Sequence, residues 1–130
     1  MDIILDYDGT VVLHSFPEIG GDIGAVPILK KLIKNGHNLI LFTMRSDEFL
    51  DAAVKWFNDN EIPLYGIQKN PDQHTWTKSP KAYGQLIIDD AALGVPLKFD
   101  PELHPRPFID WEKVDKMLEE MGLYKSEVVK

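Results

Sequence analysis

The sequence predicts an α/β fold, a single Rossmann-like domain with a central parallel sheet flanked by helices. Three observations carry that expectation. Short apolar runs (Ile3–Leu5, Leu39–Phe42, Leu86–Ile88) are separated by segments whose apolar residues recur at helical spacing. No hairpin turn signal joins consecutive runs, so the strands are parallel and the segments between them cross over the sheet. Three of the runs break abruptly into Asp6-Tyr7-Asp8-Gly9, Thr43 and Asp89-Asp90. Open parallel sheets bind their ligands at that carboxyl edge.

The elements follow in order. Asp2–Leu5 is a buried strand running into a loop. Over 26–35, Val26, Leu29, Leu32 and Ile33 share one face with lysines 30, 31 and 34 elsewhere, and Gly36 is placed to end a helix. Leu39–Phe42 is the second strand. Ser46 is placed to cap the next helix, with Asp47 and Glu48 in its first turn and Phe49, Leu50, Ala53, Trp56 and Phe57 inward. Ile62–Ile67 is the third strand, with Pro63 marking a start or an edge. The polar stretch 68–80, bounded by Pro71 and Pro80, reads as a loop. Leu86–Ile88 is the fourth strand, and Val95–Phe99 is a short fifth inside a proline-rich connection. Asp110 caps a last helix carrying Trp111, Val114, Leu118 and Met121, stopped by Gly122.

A chain of 130 residues suits one domain, here 1–122 with a frayed tail at 123–130. With no cysteine, thiolate chemistry, Cys-ligated zinc, iron–sulfur clusters and disulfides are excluded. The amino-terminal residues lack the basic flank of a signal peptide, and no apolar run approaches the roughly 20 residues of a membrane span. A net charge of −7 speaks against nucleic acid and anionic membranes as partners. The expectation is a soluble, cytoplasmic protein.

Asp6, Asp8, Asp89 and Asp90 converge with Thr43 on one sheet edge. Carboxylates gathered at such short range repel one another, and a hard, oxygen-liganded cation such as Mg²⁺ resolves the conflict.

These residues carry a resemblance. Ile3-Ile4-Leu5-Asp6-Tyr7-Asp8-Gly9-Thr10 resembles the first motif of the haloacid dehalogenase superfamily of phosphohydrolases, a hydrophobic strand followed by DxDGT. Leu39–Thr43 is similar to the second motif, Lys81 stands where the third places its lysine, and Leu86-Ile87-Ile88-Asp89-Asp90 resembles the DD form of the fourth. The resemblance implies a nucleophilic Asp6 that forms an aspartyl-phosphate, and Asp8 as general acid and base. It implies Mg²⁺ held by Asp6, the backbone of Asp8 and Asp89 or Asp90, with Thr43, Lys81 and Gly9 around the phosphoryl group. Lys78 is the alternative to Lys81. Arg45 is a candidate substrate contact or a solvated helix-leading residue, and His14 lies in the segment that forms a flap over the site in this superfamily. His37, His74 and His104 have no metal-ligand spacing and read as surface residues.

The intervals 11–38 and 44–77 leave no room for the inserted cap domain of many superfamily members, so the resemblance is to the small capless ones. An open site goes with a large substrate or with a homo-oligomeric partner as lid. The expected activity is hydrolysis of a small phosphorylated substrate. A phosphotransferase and a catalytically silent binding module are the alternatives on the same fold. A response-regulator receiver is disfavoured, because it places its paired acids after the first strand and its phospho-acceptor after the third.

Overall fold

The structure, a computed structural model, describes residues 1–125. Strands β1 (Asp2–Leu5), β2 (Asn38–Leu41), β3 (Gly66–Ile67) and β4 (Leu86–Ile88) form one parallel sheet in the order β3-β2-β1-β4. Helices α1 (Ala25–Lys34), α2 (Asp47–Asp59) and α3 (Trp111–Glu120) complete the frame. The α/β, Rossmann-like architecture is the one the sequence predicts.

The central strands β1 and β2 bury Ile3, Ile4, Leu5, Leu39, Ile40 and Leu41 almost completely. Both faces of such a strand are covered, which is why its sequence is a continuous apolar run and not an alternating one. Leu29 and Leu32 of α1, Ala53 and Phe57 of α2, and Trp111, Val114 and Leu118 of α3 close the core around Leu5 and Tyr7. The Asp110 carboxylate accepts a hydrogen bond from the Lys113 N–H and caps α3 as expected. Among the described residues, α1 is the one helix between β1 and β2, and α2 the one between β2 and β3. None is long and apolar enough to cross a membrane.

Four expectations need correction. The third strand is confined to Gly66–Ile67, because Pro63 has no N–H to give and Glu61 turns through a positive φ of 58°. The fifth strand does not join the sheet. β5 (Leu97–Lys98) pairs antiparallel with β6 (Phe108–Ile109), and β6 is fastened to the loop after β1 by the Ile109 N–H to Gly9 carbonyl bond. Ser46 stands at the N-cap of α2, but its hydroxyl makes no capping bond. Finally, the domain does not stop at 122. Leu123 and Tyr124 are buried, the Leu123 carbonyl meets His37 Nε2 at 2.6 Å, and the Tyr124 hydroxyl bonds Asp115. The rest of the expected tail, 126–130, lies outside the described residues.

Candidate functional site

Asp6 follows the last residue of β1, and its N–H donates to the Ile88 carbonyl of β4 at 3.0 Å. The sheet itself therefore sets the first acid beside the pair that follows β4. Tyr7 then closes a tight turn, accepting from the Thr10 and Val11 N–H groups through its carbonyl. Gly9 takes φ +81°, and a Cβ there would fall 2.0 Å from His14 Cε1 and 2.7 Å from Asp90 Oδ2. Glycine is thus required twice, by backbone conformation and by lack of space.

Ligand oxygens of Asp6, Asp89 and Asp90 all lie within 4.8 Å of one another. Buried Thr10 ties two of these acids together. Its hydroxyl donates to Asp6 Oδ2 at 2.7 Å and accepts from the Asp90 N–H at 3.0 Å. The Thr10 carbonyl in turn accepts from the indole N–H of Trp111 at 2.7 Å, which anchors the cluster to α3. Burial pushes the Asp6 carboxyl up to about 7; the Thr10 hydrogen bond opposes this, and the neighbouring Asp89 charge adds to it. The two aspartates of the pair differ. Asp90 Oδ2 lies 3.1 Å from His14 Nε2, an ion-pair distance without hydrogen-bond geometry. Asp89 uses one oxygen, Oδ1, for the Ala91 N–H at 2.8 Å, and among the described residues no protein donor meets the other.

Asp8 is not part of this cluster through its carboxylate. Both oxygens face Arg45, with Oδ2 accepting from Nε and Oδ1 from NH2 at 2.8 Å each. Arg45 is 2% exposed, so it is not the solvated residue that its place before a helix suggested. Its remaining donors go to the Pro17, Glu18 and Phe49 carbonyls. With all five N–H groups engaged, Arg45 has none left for a substrate and acts here as the clamp of Asp8 and of the 15–19 segment.

Thr43 is positioned by Gln68, whose side chain accepts from the Thr43 N–H and donates to the Thr43 and Arg45 carbonyls. Gln68 holds a positive φ of 65° to do so. The Thr43 oxygen accepts from the Arg45 N–H at 3.1 Å, and its own proton remains uncommitted among the described residues. Gln68 escaped the sequence reading because a glutamine after a strand carries no motif.

Lys81 is not brought to the cluster. It is exposed, and no carboxylate of the described residues lies within 4.0 Å of its ammonium. Its carbonyl is held by Gln73, which also receives the Tyr83 N–H. The Tyr83 carbonyl is joined through Asn70 to Asp2, at the amino end of β1. Lys78 lines a different cavity, alongside Gln68. His104, read as a surface residue, reaches the site, with its ring 5.6 Å from that of His14. Nothing in its spacing announced this, since the long connection after β5 delivers it.

No protein-family model matches the chain, and no curated protein does. A solved structure described as that of a conserved protein coded by a locus from Bacteroides thetaiotaomicron is 34% identical, over 93% of this chain and 91% of that one, with a TM-score of 0.75. The chain belongs to the family of that conserved protein. The likeness to the Bacteroides protein extends over nearly the whole chain.

Proposed function

We propose that the protein is a Mg²⁺-dependent phosphomonoester hydrolase of the haloacid dehalogenase type. The observation that carries this reading is the convergence of Asp6, Asp89 and Asp90 within 4.8 Å at the carboxyl edge of the sheet. The donor set fits a hard divalent cation: all ligands are oxygens, Asp89 keeps one oxygen free of protein donors, and burial makes the charge on Asp6 costly without a counter-ion. Asp6 and Asp89 are the direct ligands in this reading, with Asp90 held for orientation by Thr10 and His14. Bound Mg²⁺ offsets the repulsion between the carboxylates and the phosphate dianion.

The chain's own residues supply the rest. The Thr10 hydrogen bond fixes one oxygen of Asp6, and the other is the nucleophile in this reading. Attack forms the Asp6–phosphorus bond as the ester bond breaks, and the leaving oxygen takes a proton from Asp8. Water then attacks the aspartyl-phosphate, giving its proton to Asp8 and releasing inorganic phosphate. The Thr43 hydroxyl, whose proton is uncommitted, donates to a phosphoryl oxygen. General acid work needs a proton on one Asp8 oxygen, and both now accept from Arg45, so the cycle includes a turn of Asp8 away from the clamp.

That clamp also favours the second reading, a silent module that binds phosphate esters without turning them over. Phosphate release from 4-nitrophenyl phosphate separates the two. Turnover that requires Mg²⁺ and disappears in Asp6→Asn supports the hydrolase. Absence of turnover across several divalent ions and a broad panel of phosphomonoesters, with Mg²⁺-dependent ester binding intact, supports the silent module.

A further inference from the structure

Beside Asp8, residues 14–16, Met44, Arg45 and the connection after β5 line an open cavity of about 480 Å³. Asp8, Arg45 and His14 share its lining with Phe16, Met44, His104 and Arg106. In the hydrolase reading, on which this inference rests, Asp8 protonates the leaving oxygen. The group attached to that oxygen must therefore lie in the space Asp8 borders.

The walls of that space combine exposed apolar side chains with an exposed arginine. Met44 is 99% exposed and Phe16 57%, two large apolar side chains that no described residue covers. Phe16 is nevertheless held, edge-on to Phe49 with ring centroids 5.3 Å apart and with the Arg45 guanidinium 5.1 Å from its centroid. A preset apolar surface of this kind lowers the entropy lost when a ligand is placed against it. Arg106 stands on the exposed rim with no carboxylate of the described residues within 4.0 Å, although the chain carries 21 acidic residues against 14 basic ones. The Asp8 charge does not compensate it, because Asp8 is already paired with Arg45. His104 Nδ1 accepts from the Arg106 backbone N–H at 3.0 Å, which leaves its Nε2 as a hydrogen-bond donor on the same cavity.

We infer that the cavity selects phosphomonoesters whose leaving group carries a second anion on an apolar body, with Phe16 and Met44 against the body and Arg106, aided by His104, on the anion. Neutral polyols lack both features. Small hydroxy-acid esters have the anion without the apolar body.

Two ligands of the same shape test the charge directly. 4-Carboxybenzylphosphonate and 4-carbamoylbenzylphosphonate differ in one group and cannot be hydrolysed, so calorimetric titration in Mg²⁺ reads the cavity whether or not the protein is an enzyme. The carboxylate is expected to bind about tenfold more tightly, between the values for a screened surface pair and for a charge-assisted hydrogen bond away from water. In Arg106→Gln that ratio should fall to near one, while Lys116→Gln, which removes the same charge from an exposed position of α3 outside the cavity lining, should keep it. 3-Phosphonopropionate, with the anion and no ring, should bind more weakly than the carboxybenzyl compound, and Phe16→Ala should narrow that gap. Equal affinity for the carboxylate and the amide, or a ratio unchanged by Arg106→Gln, overturns the inference. Hydrolysis of the corresponding phenyl phosphates is measured in parallel. Turnover without charge preference keeps the hydrolase and removes the cavity assignment, whereas preference without turnover does the opposite.

Discussion

Tyr7 shows how one residue between two candidate site acids is used for packing. Its ring is fully buried, edge-on to Trp56 and tilted against Phe57, each with centroids 5.8 Å apart, and its hydroxyl has no hydrogen-bond partner among the described residues. Burial holds the phenol well above its ordinary pKa. An unsatisfied buried hydroxyl is destabilising, so Tyr7→Phe is expected to raise unfolding stability by about 1 kcal/mol in urea denaturation. A loss of stability would mean that the hydroxyl has a partner. Arg45 is the opposite case. Arg45→Met strands the Asp8 carboxylate and three carbonyls and should cost about 3–5 kcal/mol, and Arg45→Lys should recover only part, since an ammonium cannot reproduce the planar fork. Equal stability of the two variants would contradict the clamp. The sequence placed Arg45 near the site because it follows Thr43 by two residues, but its burial depends on Pro17 and Glu18, brought over by a segment whose path no local pattern encodes.

At the scale of elements, β1, β2, β4 and the three helices were legible because each satisfies a single strong period or a continuous apolar run. The pieces that were not legible are held by long-range partners. A strand was expected over 95–99 but its partner β6 was not; β5 and β6 have two residues each and exist because Leu97 pairs with Ile109 and Lys98 with Phe108. Tyr124 looked like part of a frayed end after Gly122, yet it packs into the link between α1 and α3. There Lys31 Nζ contacts Asp115 Oδ1 at 2.9 Å and sits 4.4 Å from the Tyr124 ring centroid. Burial alone would raise the Asp115 pKa, but its hydrogen bonds to Tyr124 and Lys31 and the Lys31 charge hold it below its ordinary value. A carboxyl whose folded pKa is lowered contributes stability above its unfolded pKa and loses it as pH falls through the folded one. The Lys31–Asp115 coupling energy, from the Lys31→Met and Asp115→Asn double-mutant cycle, is therefore expected to be below about 1 kcal/mol at neutral pH for these partly exposed groups, and to vanish as pH falls through the lowered pKa of Asp115. A coupling that grows on acidification would reverse the assignment.

For the whole molecule, the parallel order β3-β2-β1-β4 accounts for the site, because it puts the ends of β1 and β4 side by side and that of β2 next to them. Asp6, Asp89, Asp90 and Thr43 were readable from sequence since each lies within two residues of the end of a strand. The Lys81 position was not, because the segment before β4 is an irregular loop whose course is set by Gln73 and Asn70 and not by the sheet. A cluster of acids relieved by a cation also predicts that Mg²⁺ raises the melting temperature of the wild-type protein and raises it less in Asp89→Asn; equal shifts would remove Asp89 from the ligand set. The measurement that tests the account most directly is acid-quenched, peptide-resolved mass spectrometry of the Asp8→Asn protein after mixing with 4-nitrophenyl phosphate and Mg²⁺. With the nucleophile intact and the base for the second step removed, phosphate is expected to accumulate on Asp6, to require Mg²⁺, and to be absent when Asp6→Asn is added. Phosphate found on another residue, or near-normal turnover by the Asp6→Asn protein, would contradict it.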